Sequence, residues 1–250
     1  MTEITLYKNK TTFETIQFPS ECSELQLKEL QFIAEAIYIG KLNAADLFLC
    51  IIMNRSSNKN IISLIDLEQC AMDGLPLVNF IIEEIQLTKN PMPVIKDYFG
   101  PADNFDDITC GEFEDAEASF FSLKELKEEK YLNNIIAILW RKKVNGKKIP
   151  HTDYDIKPHM PVFEKINFKN KIILFLWYIG CREYIAKIFP EVFAGDGSES
   201  NTPPALAFTN CIHMGAGVKN GTRDNIRKML LKEFLYDIQI QLSTKPEAEA

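Results

Sequence analysis

A cysteine set among carboxylates is the first place in this chain where chemistry could be done. Residues Asp106 to Leu123 read DDITCGEFEDAEASFFSL. A thiol at a helix start is a potential nucleophile, because the helix dipole favours its thiolate. Two features oppose that role for Cys110. No histidine lies near it in sequence, and Asp106, Asp107, Glu112, Glu114, Asp115 and Glu117 would raise a thiol pKa by repulsion. Thr109 and Glu112 instead have the T-x-x-E spacing of a capping box, in which each side chain accepts from the other's free backbone amide. The expectation is a capped helix start. Asp106, Asp107, Glu114, Asp115 and Glu117 then form a solvated acidic face, a candidate docking surface for a basic partner.

Other candidates are weaker. Neither ADNFDDITCGEF nor GDGSESNTPPAL has the alternating oxygens, central glycine and closing glutamate of a calcium loop. HMGAGVKNGT, His213 to Thr222, looks like a phosphate loop, but Gly221 is followed directly by Thr222 with no lysine between. Gly215 and Gly217 read better as the end of a short helix, and Gly221-Thr222 as the start of the next. A nucleotide site over Gly215 to Thr222 stays as an alternative. His151 and His159 share a loop with Asp153, Tyr154 and Asp155, at a spacing that matches no metal motif. Lys142, Lys143, Lys147 and Lys148 make one basic patch, read as a solvated turn. The six cysteines show no CxxC pair, and several sit in apolar runs, as expected of reduced, buried thiols. No catalytic residue, metal or cofactor is expected.

The elements that would carry these residues follow from periodicity. ITLYKNKTTFETIQF alternates like one or two strands. Leu30, Ile33, Ala34 and Ile37 form one helical stripe, ended at Gly40. Asn43 caps the apolar run that follows, and IISLIDLEQCAM and LPLVNFIIEEI continue the pattern across a break at Asp73-Gly74. Pro91, Pro93, Gly100 and Pro101 mark residues 91–106 as a linker with one short strand near PVIKDYF. Helices are expected over Cys110–Phe121, Leu132–Arg141, Phe163–Ile179, Arg182–Phe189 and Arg223–Gln241. FAGDGSESNTPP has linker composition, and TKPEAEA should be a loose tail. The expected fold is mainly α, a helical bundle-like body with a short N-terminal β element. Its parts are 1–90, the linker 91–106, a second helical unit 107–194, and 195–250 with the final helix.

Bulk properties exclude other classes. The chain has 250 residues, 46% hydrophobic and 25% charged, with a net charge of −7. That charge argues against binding nucleic acid by phosphate neutralisation. The apolar run Ile172–Cys181 is about half the length of a membrane span, so no membrane partner is expected.

One internal echo stands out: ELQLKEL (Glu24 to Leu30) and DITCGEF (Asp107 to Phe113) share a layout of acid, apolar, polar, two residues, Glu, apolar. Gln26 is a poorer cap than Thr109, and Ser23 with Gln26 offers a box one turn earlier.

FPSECSELQLKELQFIAEAI resembles the opening of proteins from tailed bacteriophages and prophages, in which proline-serine leads to E-L-T and a helix. DDITCGEFEDAEASFF, YLNNIIAILWR and YIAKIFPEVFAG are similar to the second half of that group, with its L-T-x-G-E-F helix start and N-L-I-A-x-L-Y-R helix. The resemblance spans about Phe18 to Gly195. It departs at Gln26, where threonine is expected, and at Trp140, where tyrosine is. It implies a non-enzymatic tail assembly chaperone or tail-region factor, working in the host cytoplasm on a tape-measure or tail-tube partner through apolar grooves. A structural neck, connector or baseplate component is the alternative. A host regulatory module docking through Asp106 to Glu117 is another. Oligomeric state is left open.

Overall fold

A computed structural model describes residues 1–82, 86–193, 204–216 and 221–244. The stretch 194–203 expected as a linker, Gly217 with the rest of 217–220, and the tail from 245 lie outside the described residues. The fold is mainly α with a short N-terminal hairpin. In chain order the elements are β1 Thr2–Lys8, β2 Thr11–Phe18, α1 Leu27–Tyr38, α2 Ala44–Arg55, α3 Ile61–Leu64, α4 Leu67–Gly74 and α5 Asn79–Ile82. Then come β3 Val94–Ile95, β4 Tyr98–Phe99, α6 Cys110–Leu126, α7 Glu129–Leu139, β5 Arg141–Val144 and β6 Lys147–Lys148. The rest is α8 Met160–Glu164, α9 Phe168–Ile188, α10 Pro190–Phe193, α11 Pro204–Gly215, α12 Arg223–Lys228 and α13 Leu231–Ser243. No helix among the described residues is long and apolar enough to cross a membrane.

The chain forms two compact units that its sequence order does not separate cleanly. The first holds residues Met1–Leu87 with Phe168–Gly180, and the second holds Thr88–Asn167 with Cys181–Ala250. These bounds differ from the expected 1–90, 107–194 and 195–250.

In the first unit, β1 and β2 pair antiparallel around Asn9 and Lys10, both at positive φ, as a tight hairpin turn requires. The alternation puts Ile4, Leu6, Ile16 and Phe18 inside. Phe18 meets Phe48 of α2 at 5.6 Å between ring centroids. Asn43 caps α2 by accepting the Asp46 amide at 2.8 Å. The run Ile61–Ile82 is not two helices but short pieces, α3, α4, a 3-10 turn at Leu75–Val78 and α5, with a proline in the 3-10 turn.

In the second unit, residues 91–106 are not a linker. The prolines and glycines punctuate a hairpin, β3 and β4, followed by a 3-10 turn at Asp103–Phe105. Ile95, Tyr98 and Phe105 are buried there. The sheet order is β3-β4-β5-β6, with all pairs antiparallel. Arg141, expected as the last residue of a helix, starts β5 opposite Phe99. Asn145-Gly146, both at positive φ, turn the lysine-rich loop into the hairpin β5–β6. Edge-on rings of Phe105, Phe113, Phe208 and Phe234 line the core, at centroid distances of 6.2, 4.8 and 6.4 Å.

Two further helices differ from expectation. The final helix is broken into α12 and α13, because the Met229 carbonyl accepts from Cys110 (3.0 Å) and the Leu231 amide donates to Ile108 (2.9 Å). Conversely, Phe168–Ile188 runs without a break through Gly180. That glycine serves a close approach: a Cβ there would lie 2.5 Å from the Leu87 carbonyl oxygen. Gly180→Ala would gain about 1 kcal/mol of helix propensity. It would also force backbone apart at a cost of about 1–3 kcal/mol. The expected result is a net loss of stability, seen as a lower urea midpoint at unchanged m-value.

Candidate functional site

The start of α6 is built as a capping box. The Thr109 amide donates to Glu112 Oε2 at 2.7 Å, and the Glu112 amide donates to Thr109 Oγ1 at 3.3 Å. The Glu112 carboxylate is fully buried and clamped by Nη2 of Arg141, itself 4% exposed. Arg141 Nη1 donates to the Ile149 carbonyl at 2.5 Å. The hairpin β3–β4 places the clamp: pairing with Phe99 holds Arg141 at the α6 entrance.

The acidic face expected at Asp106, Asp107, Glu114, Asp115 and Glu117 is not a free face. Glu114 and Glu117 are buried. Each of the five carboxylates meets a cation of the same unit. Asp106 pairs with Lys232, Asp107 with Lys148 at 2.8 Å, and Glu117 with Arg182 at 2.8 Å. Glu114 receives Arg223 at 2.8 Å, Arg227, and the Thr209 hydroxyl at 2.8 Å. Asp115 receives Arg227 at 2.9 Å and His151 Nε2 at 2.7 Å. The sequence could not show this, because the cations come from far along the chain. A docking surface of unspent negative charge is therefore excluded for Glu114 and Glu117. At Asp106, Asp107 and Asp115 a basic partner would compete with pairs already made.

Cys110 is buried, and burial pushes its thiol far above the ordinary range, with Cys211 adding to the effect. Cys181 is raised for the same reason. Cys22 and Cys211 are pushed up to about 11 by burial. Cys50 also reaches about 11, but it alone of the six is not fully buried. Alkylation of the native protein at pH 8 should label Cys50 first, and the other five only after unfolding, as peptide mapping would show.

Beside α6 lies a cleft of about 470 Å³ lined by Asp115, Ser119, Asn134, His151, Tyr154 and Arg227, among others. His151 Nδ1 and the Tyr154 hydroxyl are buried without a hydrogen-bond partner. Burial raises the Tyr154 phenol, so it stays protonated. Among the described residues no hydroxyl or thiol is hydrogen-bonded to His151 Nδ1, the contact by which a histidine would activate a nucleophile. His159 is spent elsewhere: its Nδ1 meets the Tyr98 hydroxyl at 2.9 Å, and its ring stacks on Tyr154. No group of three or more metal-type side chains forms among the described residues. Of the lysine patch, Lys142 pairs with Asp97, Lys143 lies over Phe99, and Lys148 holds Asp107. At the glycine loop, Gly215 is packed against Phe234, and Thr222 caps α12 by accepting the Asn225 amide.

The second opening lies in the first unit. α1 and α2 leave a groove of about 510 Å³ between them, lined by Lys28, Phe32, Asp46, Leu49, Cys50, Met53 and Asn54. The α2 run LFLCIIM is apolar on more than one side. Leu47, Phe48, Ile51 and Ile52 go into the core, while Met53 stays 57% exposed. That surplus was visible in the sequence as an apolar run too wide for one buried face.

Comparison of the chain with family models, curated proteins and solved structures gave no match.

Proposed function

We propose that the chain is a non-enzymatic assembly protein of tailed bacteriophages or prophages, a tail assembly chaperone or related tail-region factor. It binds a helical partner, such as a tape-measure or tail-tube protein, in the groove between α1 and α2. The observation that carries this reading is the groove itself, with Phe32, Leu49, Cys50 and Met53 along it and charged or polar Lys28, Asp46 and Asn54 on it. Such a groove suits the apolar stripe of an amphipathic helix. The motif resemblance over about Phe18 to Gly195 supports the phage setting.

The test is capture from infected or prophage-induced cells with the tagged full chain, read by mass spectrometry. A tail protein should be captured by the wild type and lost with Met53→Asp. Capture that is indifferent to Met53→Asp refutes the groove. Finding the chain in purified particles would favour the fixed neck, connector or baseplate role. A nucleotide-dependent rise in melting temperature would favour the enzyme alternative, since a ligand that binds only the native state stabilises it by mass action.

A further inference from the structure

The two units open with the same module, and among the described residues only the second copy is covered at its helix entrance. Each begins with a hairpin that ends in Phe (Phe18, Phe99) and is followed within two residues by Pro (Pro19, Pro101). A 3-10 turn comes next, at Cys22–Glu24 in one and Asp103–Phe105 in the other. The amide after the proline donates to an acid two residues before the helix cap: Ser20 to Glu24 at 2.8 Å, Ala102 to Asp107 at 2.6 Å. The cap amide donates to a fully buried glutamate: Gln26 to Glu29 and Thr109 to Glu112, both at 2.7 Å. An arginine at or just past the end of the next helix clamps that glutamate: Arg55 on Glu29 and Arg141 on Glu112. A third helix then meets position 31 or its equivalent 114: Asn170 of α9 bonds Gln31, and Thr209 of α11 bonds Glu114.

The copies part at the entrance of the boxed helix. In the second unit, Met229–Leu231 bridge to Ile108–Cys110, and α12 lies against Gly111, where an added Cβ would be 3.0 Å from the Arg227 carbonyl. Ile108 and Cys110 are completely buried as a result. In the first unit the same positions are Leu25, Leu27 and Lys28. Leu27 is 42% exposed, where its counterpart Cys110 is 0%. The groove begins at the next residue, Lys28, and includes Phe32 and Met53.

We propose that the entrance of α1 is the docking site for a helical segment of another polypeptide, which sits there as residues 222–243 sit on α6. This rests on the reading of the chain as a binder of helical partners. The segment brings a short extended stretch to Leu25–Leu27 and an amphipathic helix that reaches further into the groove than α12 reaches into the cleft beside α6, which Arg227 only lines. Its side chains differ from those of α12 in a defined way. Arg223 and Arg227 reach Glu114 and Asp115, but Gln31 and Phe32 stand at the equivalent places. The segment is therefore neutral or apolar there, and acidic toward Lys28, which replaces Gly111.

The test uses the full chain and a fluorescent peptide of the Thr222–Ser243 sequence carrying R223L and R227L. Saturable binding is expected by anisotropy, at least tenfold weaker with Leu27→Asp or Met53→Asp, with slower alkylation of Cys50 in the bound state. Both residues are substantially exposed, so the variants should fold, and Lys28→Glu gives a milder control that also weakens binding to an acidic version of the peptide. The unsubstituted peptide should bind less well. Absence of binding, binding indifferent to Leu27 and Met53, or dimerisation of the chain through this face would each overturn the proposal. Because no phage protein is used, peptide binding without capture of a tail protein would remove the proposed function and leave this inference standing. Capture dependent on Met53 without peptide binding would do the reverse.

Discussion

Arg141→Leu is expected to destabilise the folded chain by about 3–5 kcal/mol, as measured by urea denaturation. The reason is burial. Glu112 is fully buried and Arg141 is 4% exposed, so removing the guanidinium leaves a carboxylate without its countercharge and out of reach of water. The remaining donors, the Thr109 amide and hydroxyl, supply hydrogen bonds but no charge. An exposed pair would contribute only about 0–1 kcal/mol. A loss below 1 kcal/mol would thus contradict the clamp. The double variant Glu112→Leu with Arg141→Leu should cost well under the sum of the two single changes, because each single change strands a buried charge and the double change strands none. Arg55→Leu is the same experiment on Glu29 in the first unit and should give a loss of similar size.

Trp140→Ala should cost about 3–5 kcal/mol, the range for deleting a large buried aromatic. Trp140 is 1% exposed, and its Nε1 donates to the Met92 carbonyl at 2.9 Å. A Cβ on Gly100 would lie 2.5 Å from the indole, so glycine at 100 makes room for the ring. Trp140→Phe keeps most of the apolar area but leaves that carbonyl without its indole donor, which costs about 1–3 kcal/mol. The order wild type, Phe, Ala in denaturation midpoint would support this partition. Equal loss for Phe and Ala would assign the effect to the hydrogen bond and not to the ring.

What could be read in advance was local. The T-x-x-E spacing at Thr109 and Glu112, the asparagine at Asn43 and the alternation of β1 and β2 all depend on neighbours a few residues away. The echo of Glu24–Leu30 in Asp107–Phe113 was visible too, although the box one turn earlier does not form: Ser23 bonds Glu21 instead. What was lost was long-range. Arg141 was placed in a helix because YLNNIIAILWR is apolar to its end, and only pairing with Phe99 turns it into a strand residue. Gly180 looked like a helix stop because nothing local shows that Leu87 presses on it. The prolines of 91–106 looked like a linker because punctuation is the same for a loop and for a short buried hairpin. The acids of α6 looked solvated because Arg182, Arg223, Arg227 and Lys232 are 65 to 126 residues away from them.

The return of Phe168–Gly180 to the first unit has a consequence for how the protein is made. Residues up to Leu87 leave the ribosome first, yet Trp177 and Tyr178, both completely buried, are synthesised only after Asn167. The amino-terminal part must therefore remain unfinished while the intervening stretch is translated. A fragment cut after Leu87 would lack its last layer, and no single cut in the chain yields either part whole.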